Sequence, residues 1–433
     1  MRKRLQNLIK EALKSLNLGS VDFVVEHPTD LKFGDYSFHL KGKDHLLHQD
    51  IVVHLNSNKP SYVEKVMGAG GGFINFYLSK EFFKESLGEI IEKGDEFGTN
   101  ENLKGQKFFI EHTQPNLFKK FHIGHLMNNV IGESLVRIVK ANGAEVRTAT
   151  YHGNKGLHVA KAIWSLLHKP GSADSAYAEG HKAYETDESA KKEIIEINKK
   201  IYDESDSRIN TLYTAISKDD LAHFESIYQR LDSHFDEHFL ESESGEAGKK
   251  IVLANLGKIF EESEGAVVFR GEKFGLHTRV FLNSERLPTY EAKEVGLAEM
   301  KKDLFPYDIS ITITASEQDA FFNVVEVAIG EIFPELKGKL KHISHGMLRL
   351  PTGKMSSRTG DVITAEELID EIKKRVKDSE PVAIGAIKYM ILRQAIGNDI
   401  IFDIDKSVST EGDSGIYLQY AYARTNSLLE KAD

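Results

Sequence analysis

Lys107-Phe-Phe-Ile-Glu-His-Thr-Gln-Pro-Asn-Leu-Phe-Lys-Lys-Phe-His-Ile-Gly-His-Leu-Met-Asn-Asn129 is the stretch from which the fold can be read. Phe108, Phe109 and Ile110 form a short apolar run with strand propensity. Pro115 forbids a continuous helix through the residues around it, and Leu126, Val130, Leu135, Ile138 and Val139 then recur at helical spacing. The segment therefore reads as strand, bent loop and helix start. A second strand candidate at Glu145 to Thr150 completes a β-α-β unit. In an open parallel sheet such a unit takes its ligand at the strand C-terminal ends, where the next helix presents free N–H groups. His122, Gly124 and His125 fall at that place. Two imidazoles three residues apart on a first helical turn share one face and can donate to phosphate oxygens, while Gly124 leaves room for a flat base. Taken alone, His-x-x-His is equally a polar helix start.

Far downstream, Gly353-Lys354-Met355-Ser356-Ser357-Arg358-Thr359-Gly360 combines flanking glycines, small hydroxyls and two cations, which suits a loop closing over a polyphosphate. By itself it also reads as a solvated basic turn. The two stretches in this order resemble the HIGH and KMSKS motifs of class I aminoacyl-tRNA synthetases. Glu111 and Asn116 match the arginyl-tRNA synthetase pattern Glu-x-x-x-x-Asn ahead of the HIGH sequence. The resemblance covers almost the whole chain. Phe33-Gly34-Asp35-Tyr36 and Gly71-Gly72-Phe73-Ile74-Asn75-Phe76 look like that family's N-terminal domain, and Leu287-Pro288-Thr289-Tyr290-Glu291-Ala292-Lys293 and Tyr417-Leu418-Gln419-Tyr420-Ala421 like its core.

Composition agrees with a soluble globular protein. At 433 residues two to four domains are expected. There is no cysteine, which excludes disulfides, thiolate metal sites and cysteine nucleophiles, and suits a reducing compartment. No apolar run reaches membrane-spanning length. The basic first residues continue into an amphipathic pattern of Leu5, Leu8, Ile9, Leu13 and Leu16, so the start reads as a folded helix and the protein as cytoplasmic. The 56 lysines and arginines against 66 acidic residues, a net charge of −10, argue against a general nucleic-acid coat protein. A tRNA partner would need locally basic faces.

Along the chain, Val21 to Val25 and Ile51 to Leu55 read as short strands, and Gly68 to Phe73 as a tight turn between strands. That glycine run is not a P-loop, since no Gly-Lys-Ser/Thr ends it. A helix is expected from Lys80 to about Lys93. From about Lys161 to Ser263 the pattern is helical and charged, with Ile194, Ile197 and Ile201, then Leu221, Phe224, Ile227, Tyr228 and Leu231 at three- and four-residue steps. Within it His234-Phe235-Asp236-Glu237-His238 matches the H-x-x-E-H pattern of a zinc peptidase subclass, read here on a charged helix and without an identifiable third ligand. Strands are expected at Ala266 to Phe269, Val280 to Leu282 and Asp308 to Thr314, then a helix from about Gln318. Thr364 with Glu367 makes a capping box, and beyond Pro381 the pattern is helical again.

The resemblance implies an α/β protein: a Rossmann-like class I catalytic core with a helical insertion and a small α+β N-terminal domain. It divides the chain into an N-terminal domain touching the tRNA elbow (1–80), the first half of the catalytic domain (81–160), a mainly helical insertion (161–265), and the second catalytic half with the KMSKS-like loop (266–380). A helical junction and the start of the anticodon-binding domain complete the chain (381–433), most of that domain being absent from it.

The implied activity is that of an arginine-tRNA ligase, with ATP (accompanied by Mg2+), L-arginine and tRNA(Arg) as partners. Neither a tightly bound metal nor a membrane is expected, and the protein is taken as a monomer. Guanidinium recognition calls for carboxylates and an aromatic face, which Glu111, Tyr290 and Glu294 supply. Asn116 and Gln318 match the positions holding the substrate's amino and carboxylate ends. His122 and His125 would stabilise phosphates, Gly124 would admit adenine, and Lys354, Met355, Ser356, Ser357 and Gly153 would complete the ATP site. Three positions depart from the family pattern: Glu294 replaces an aspartate, Asn154 an aspartate and Ser357 a lysine, with Arg358 next to it. The alternative reading is a catalytically impaired synthetase-like protein that binds RNA or regulates.

Overall fold

A five-stranded parallel sheet forms the centre of the larger of the two units into which the computed structural model divides, Asn100–Asp433; the smaller is Met1–Thr99. Residues 1–19, 21–40, 45–169, 173–349, 351 and 363–431 are described. The strands are β1 (Lys107–Glu111), β2 (Glu145–His152), β3 (Glu237–Leu240), β4 (Ile309–Ala315) and β5 (Leu340–His345), in the spatial order β5-β4-β1-β2-β3. The chain winds outward from β1 through β2 to β3, then returns to the other side of β1 with β4. The crevice beyond the C-terminal ends of β1 and β4 is thus the point where winding reverses, the usual ligand position of such a sheet.

Helices cover both faces. Between β1 and β2 runs α1 (Ile123–Ala141). Between β2 and β3 come α2 (Leu157–His168), α3 (Ala173–Thr186), α4 (Glu188–Asp203) and α5 (Ser207–Arg230), and β3 leads directly into α6 (Glu241–Ala254). Before β4 lies α7 (Tyr290–Leu304); α8 (Asp319–Ile332) joins β4 to β5, and α9 (Ala365–Arg375), α10 (Glu380–Leu392) and α11 (Gly415–Leu429) come after β5. The run Phe108-Phe109-Ile110 shows why β1 is central. Phe108 and Ile110 pack with Leu126, Val130 and Ile163 on one side, while Phe109 packs with Val295, Ala298 and Val325 on the other. Burial of each such side chain stabilises by roughly 1.5–3 kcal/mol.

The stretch read as helical insertion, 161–265, contains α3, α4 and α5 but also β3, the edge strand of the core sheet, paired to β2 from Ala149 with Glu237 to His152 with Leu240. His234 to His238 therefore lead into a strand, not a charged helix, and the i, i+4 helical spacing on which a shared metal would depend does not exist there. Ala266–Phe269 is a strand as expected, but it sits between Glu261–Ser263 and Arg279–Leu282 in a separate antiparallel sheet. Parallel β4 begins only after α7.

In the smaller unit, helices Arg2–Ser15 and His45–Ser57 accompany a four-stranded antiparallel sheet ordered Val25–Glu26, Tyr36–His39, Phe73–Leu78, Val63–Ala69. Ile51 to Leu55, expected as a strand, belongs to the second helix: Ile51 and Leu55 are both fully buried and four residues apart, so one helical face accounts for them. The glycine run makes the hairpin connection, with Gly71 and Gly72 at φ +74 and +86. The helix Lys80–Lys93 falls in this unit, whose boundary lies at Thr99. Among the described residues no helix is long and apolar enough to cross a membrane.

Candidate active site

Four of the five strands deliver a polar group to the same edge: Glu111 ends β1, His152 to Asn154 follow from β2, Glu241 and Ser242 come after β3, and Gln318 lies in the turn after β4. The N-terminus of α1 faces this edge. His122 is its N-cap in extended backbone conformation, and its Nδ1 accepts the Gly124 N–H at 3.1 Å. His125 closes the turn in the reverse sense, its Nδ1 accepting the His122 N–H at 3.2 Å. These two bonds form a capping box built from imidazoles instead of a hydroxyl and a carboxylate. With Nδ1 acting as acceptor in both rings, the proton of each neutral imidazole resides on Nε2, an assignment made from the hydrogen-bond pattern.

Burial pushes the His122 pKa down to about 4, with Lys119 adding to the effect, and holds His125 well below the ordinary histidine value, with His122 and Lys119 contributing. Both are therefore neutral donors near pH 7. Gly124 has a nearer reason than room for a base, since a Cβ there would stand 2.9 Å from the His122 ring.

The second half of the site hangs on α6 and α7, which approach closely because both carry glycine at their crossing. A Cβ on Gly296 would lie 1.9 Å from the Ser244 carbonyl oxygen, and one on Gly248 1.8 Å from that of Ala292. Contact at this range brings Lys293 of α7 within 2.7 Å of Glu241, the first residue of α6, both being almost wholly buried. Tyr151 of β2 shares a 2.6 Å hydrogen bond with Ser244. The Lys293 ammonium lies 4.9 Å from the Tyr290 ring centre, and Tyr290 itself remains 62% exposed at the helix start.

Glu111 departs from expectation. It is fully buried, ion-paired with Lys301 of α7 and hydrogen-bonded by the Gln114 amide, so it is not an open carboxylate for a guanidinium. Glu294, one turn beyond Tyr290, is half-buried and makes no hydrogen bond or ion pair among the described residues. Burial and the neighbouring Glu111 raise its pKa to about 8.

Asn116 and Gly153 meet, the Asn116 Oδ1 occupying the space a Gly153 Cβ would need, with Glu241 alongside. Gly153 is thus fixed by the approach of these side chains. Asn154, which stands where the resembled family carries an aspartate, spends its amide on the protein: Nδ2 donates to Tyr213 Oη (3.0 Å) and Ser242 Oγ (2.9 Å), and Oδ1 accepts the Ser242 N–H (2.9 Å). Gln318 is exposed and is not drawn into this cluster.

The site opens on a cleft of about 810 Å³ bordered by Asn116, Lys119, His122, Tyr177 and Thr364. Lys354, Met355, Ser356, Ser357 and Arg358 lie outside the described residues. Beyond them, Ile363 accepts the Ile123 N–H (3.3 Å) and Ala365 donates to the Phe121 carbonyl (2.9 Å), pinning this part of the chain beside His122. Three residues escaped the sequence reading as site members: Glu241, Lys301 and Tyr151. For Glu241 the signal was a carboxylate straight after the strand residues Phe239 and Leu240, hidden by reading His234 to His238 as helix.

Residues 87–380 match the family model for class I tRNA synthetases (R), catalytic domain, and residues 3–78 the arginyl tRNA synthetase N-terminal domain. The chain is similar over its full length to the arginine–tRNA ligases of Borrelia turicatae (30% identical) and Borrelia hermsii (29%), covering 82% of each. Among solved structures, its fold is similar to arginyl-tRNA synthetase of Plasmodium falciparum (TM-score 0.72, 20% identity, 99% of this chain and 81% of that one). It is also similar to that of Thermus thermophilus (0.68, 22%, 100% and 82%).

Proposed function

The chain belongs to the class I arginyl-tRNA synthetases, and from that premise we propose how its own residues divide the work. As an arginine–tRNA ligase it activates arginine with ATP to arginyl-adenylate and transfers the arginyl group to the 3′-terminal ribose of tRNA(Arg). The arginine carboxylate attacks the ATP α-phosphorus, pyrophosphate leaves, and no covalent nucleophile is asked of the protein. Its contribution is positioning and charge stabilisation.

In this proposal His122 and His125 donate through Nε2 to phosphate oxygens as negative charge moves to the leaving group. The observation that carries it is the imidazole capping box, which fixes both donors at the helix N-terminus before any substrate arrives. Lys354 adds a cation from the loop, with Met355, Ser356 and Ser357 around the polyphosphate; the anchoring of Ile363 beside His122 supports that placement. Mg2+ would enter with ATP.

On the amino-acid side, Glu294 takes the guanidinium with the exposed Tyr290 ring as a stacking face, and Asn116 and Gln318 address the amino and carboxylate ends. Glu111 shapes the pocket floor through its pair with Lys301. We take the working unit to be a monomer in the cytoplasm; light scattering on the purified protein tests the oligomeric state. Arginine-dependent ATP–pyrophosphate exchange, measured with and without tRNA, tests the function. Exchange in neither condition would leave a binding role without catalysis.

A further inference from the structure

Two of the three carboxylates around the arginine pocket already have cations of their own. Glu111, with no exposed surface, pairs with Lys301, only 3% exposed, whose ammonium lies 5.6 Å from the Phe109 ring centre. Glu241 pairs with Lys293. Glu294 has no such partner among the described residues. Helical geometry places it on the same face of α7 as Tyr290, one turn earlier, and Lys301, two turns later. It borders a cavity of about 30 Å³ together with Lys301, Ser310 and Thr312.

We propose that Lys301 is a positioning residue for arginine recognition: by neutralising Glu111 inside the pocket, it leaves Glu294 as the carboxylate that meets the guanidinium. This rests on the arginyl-tRNA synthetase reading and goes beyond it by giving a role to a residue that touches no substrate.

With both lysines in place and Glu294 ionised on arginine binding, Glu111, Glu241 and Glu294 against Lys293 and Lys301 leave a single negative charge, which one guanidinium cancels. Without Lys301 a second buried carboxylate would remain uncompensated after arginine binds, an arrangement that either weakens binding or forces protonation. The charged and titratable groups around Glu294 are Lys293 and Lys301 on α7, Glu111 on β1, Glu241 on α6 and Tyr151 on β2; Tyr307 ahead of β4, Glu326 of α8 and Lys341 of β5 line the cavity it borders. Burial and Glu111 keep the Glu294 carboxyl protonated near pH 7, with a pKa of about 8, so a guanidinium arriving there displaces a proton. Lys301 opposes that rise, so its loss drives the ionisation of Glu294 further up.

The test is arginine binding to the full chain by calorimetry in two buffers of different ionisation enthalpy at pH 7, with exchange kinetics from pH 6.5 to 9. The unaltered protein is expected to release close to one proton per arginine. Lys301→Met is expected to raise the arginine KM by about tenfold or more. It should also shift the ascending, acid-side limb of kcat/KM for arginine upward by about one pH unit or more, leaving the ATP KM in place. Lys301→Arg is expected to restore both. An unmoved limb in Lys301→Met, or equal rises in the KM for ATP and arginine, would overturn the proposal. Should Lys301→Met fold poorly, Glu294→Gln decides: proton release is expected to vanish, and its persistence rules Glu294 out as the guanidinium partner. Absence of exchange in the unaltered protein would instead count against the function itself.

Discussion

The imidazoles of His122 and His125 stack at 3.7 Å between ring centres with 19° between their planes, each held through Nδ1 by the first turn of α1. The stack and the cap are one device. Because the backbone N–H groups of Gly124 and His122 occupy the Nδ1 atoms, the two Nε2–H groups are left as a pair of donors with fixed orientation. A donor that needs no reorganisation during the reaction stabilises a transition state more than one that must be ordered first.

His125→Ala removes one donor and one half of the cap. Exchange is expected to fall by about one to three orders of magnitude, and stability by about 1 kcal/mol for the lost cap bond. Thermal unfolding alongside the exchange assay separates the two; an unaltered exchange rate would take His125 out of the mechanism.

Sensitivity to acid is set by the buried histidines. Burial lowers the pKa of His112 and His158 to about 3 and of His122 and His152 to about 4. In the unfolded chain each titrates near 6.5, so between about pH 6.5 and 4 the unfolded state binds protons that the folded state refuses. Stability is fully present above pH 6.5 and is lost as pH falls, with a slope approaching about 1.4 kcal/mol per pH unit for each histidine. Denaturant unfolding at several pH values between 7 and 4.5 should show this decline. A flat profile would mean these rings are solvated.

How far the site could be read from the sequence depended on whether a residue acts through its own local geometry. His122 and His125 were visible because a helix start after a strand is a local pattern, and Thr364 with Glu367 likewise: both bonds of that capping box are formed. The parallel sheet was legible from Phe108 to Ile110 and from the run at Asp308 to Thr314, which forms β4. Strand β3 was not, since its four residues are flanked by charged groups and come after four helical segments. Its pairing with β2 is decided by tertiary contact. Lys301 escaped for a related reason: on a helix of charged residues nothing local distinguishes a lysine facing Glu111 from one facing water.

The close crossing of α6 and α7 gives a third prediction. Gly296→Ala puts a methyl group against the Ser244 carbonyl, a backbone atom that cannot swing aside, so the helices must separate. A loss of about 1–3 kcal/mol in stability is expected from the overpacking. Since Tyr290, Lys293 and Glu294 all ride on α7, the arginine KM should rise while that for ATP changes little. Equal changes in both would show that the crossing does not set the amino-acid pocket.

Asn154→Asp is the informative substitution at the other departure from the family pattern among the described residues. If the amide were a lost charge of the ATP site, restoring a carboxylate would lower the ATP KM. The structure argues the opposite. Nδ2 donates to both Tyr213 and Ser242, and a carboxylate can donate to neither, although both hydroxyls can turn to donate in return. An ionised group would also be placed where Asn154 is only 4% exposed. A stability loss of about 1–3 kcal/mol is therefore expected, with the Oδ1 contact to the Ser242 N–H retained and no gain in ATP affinity. A lower ATP KM in the variant would return position 154 to the nucleotide site.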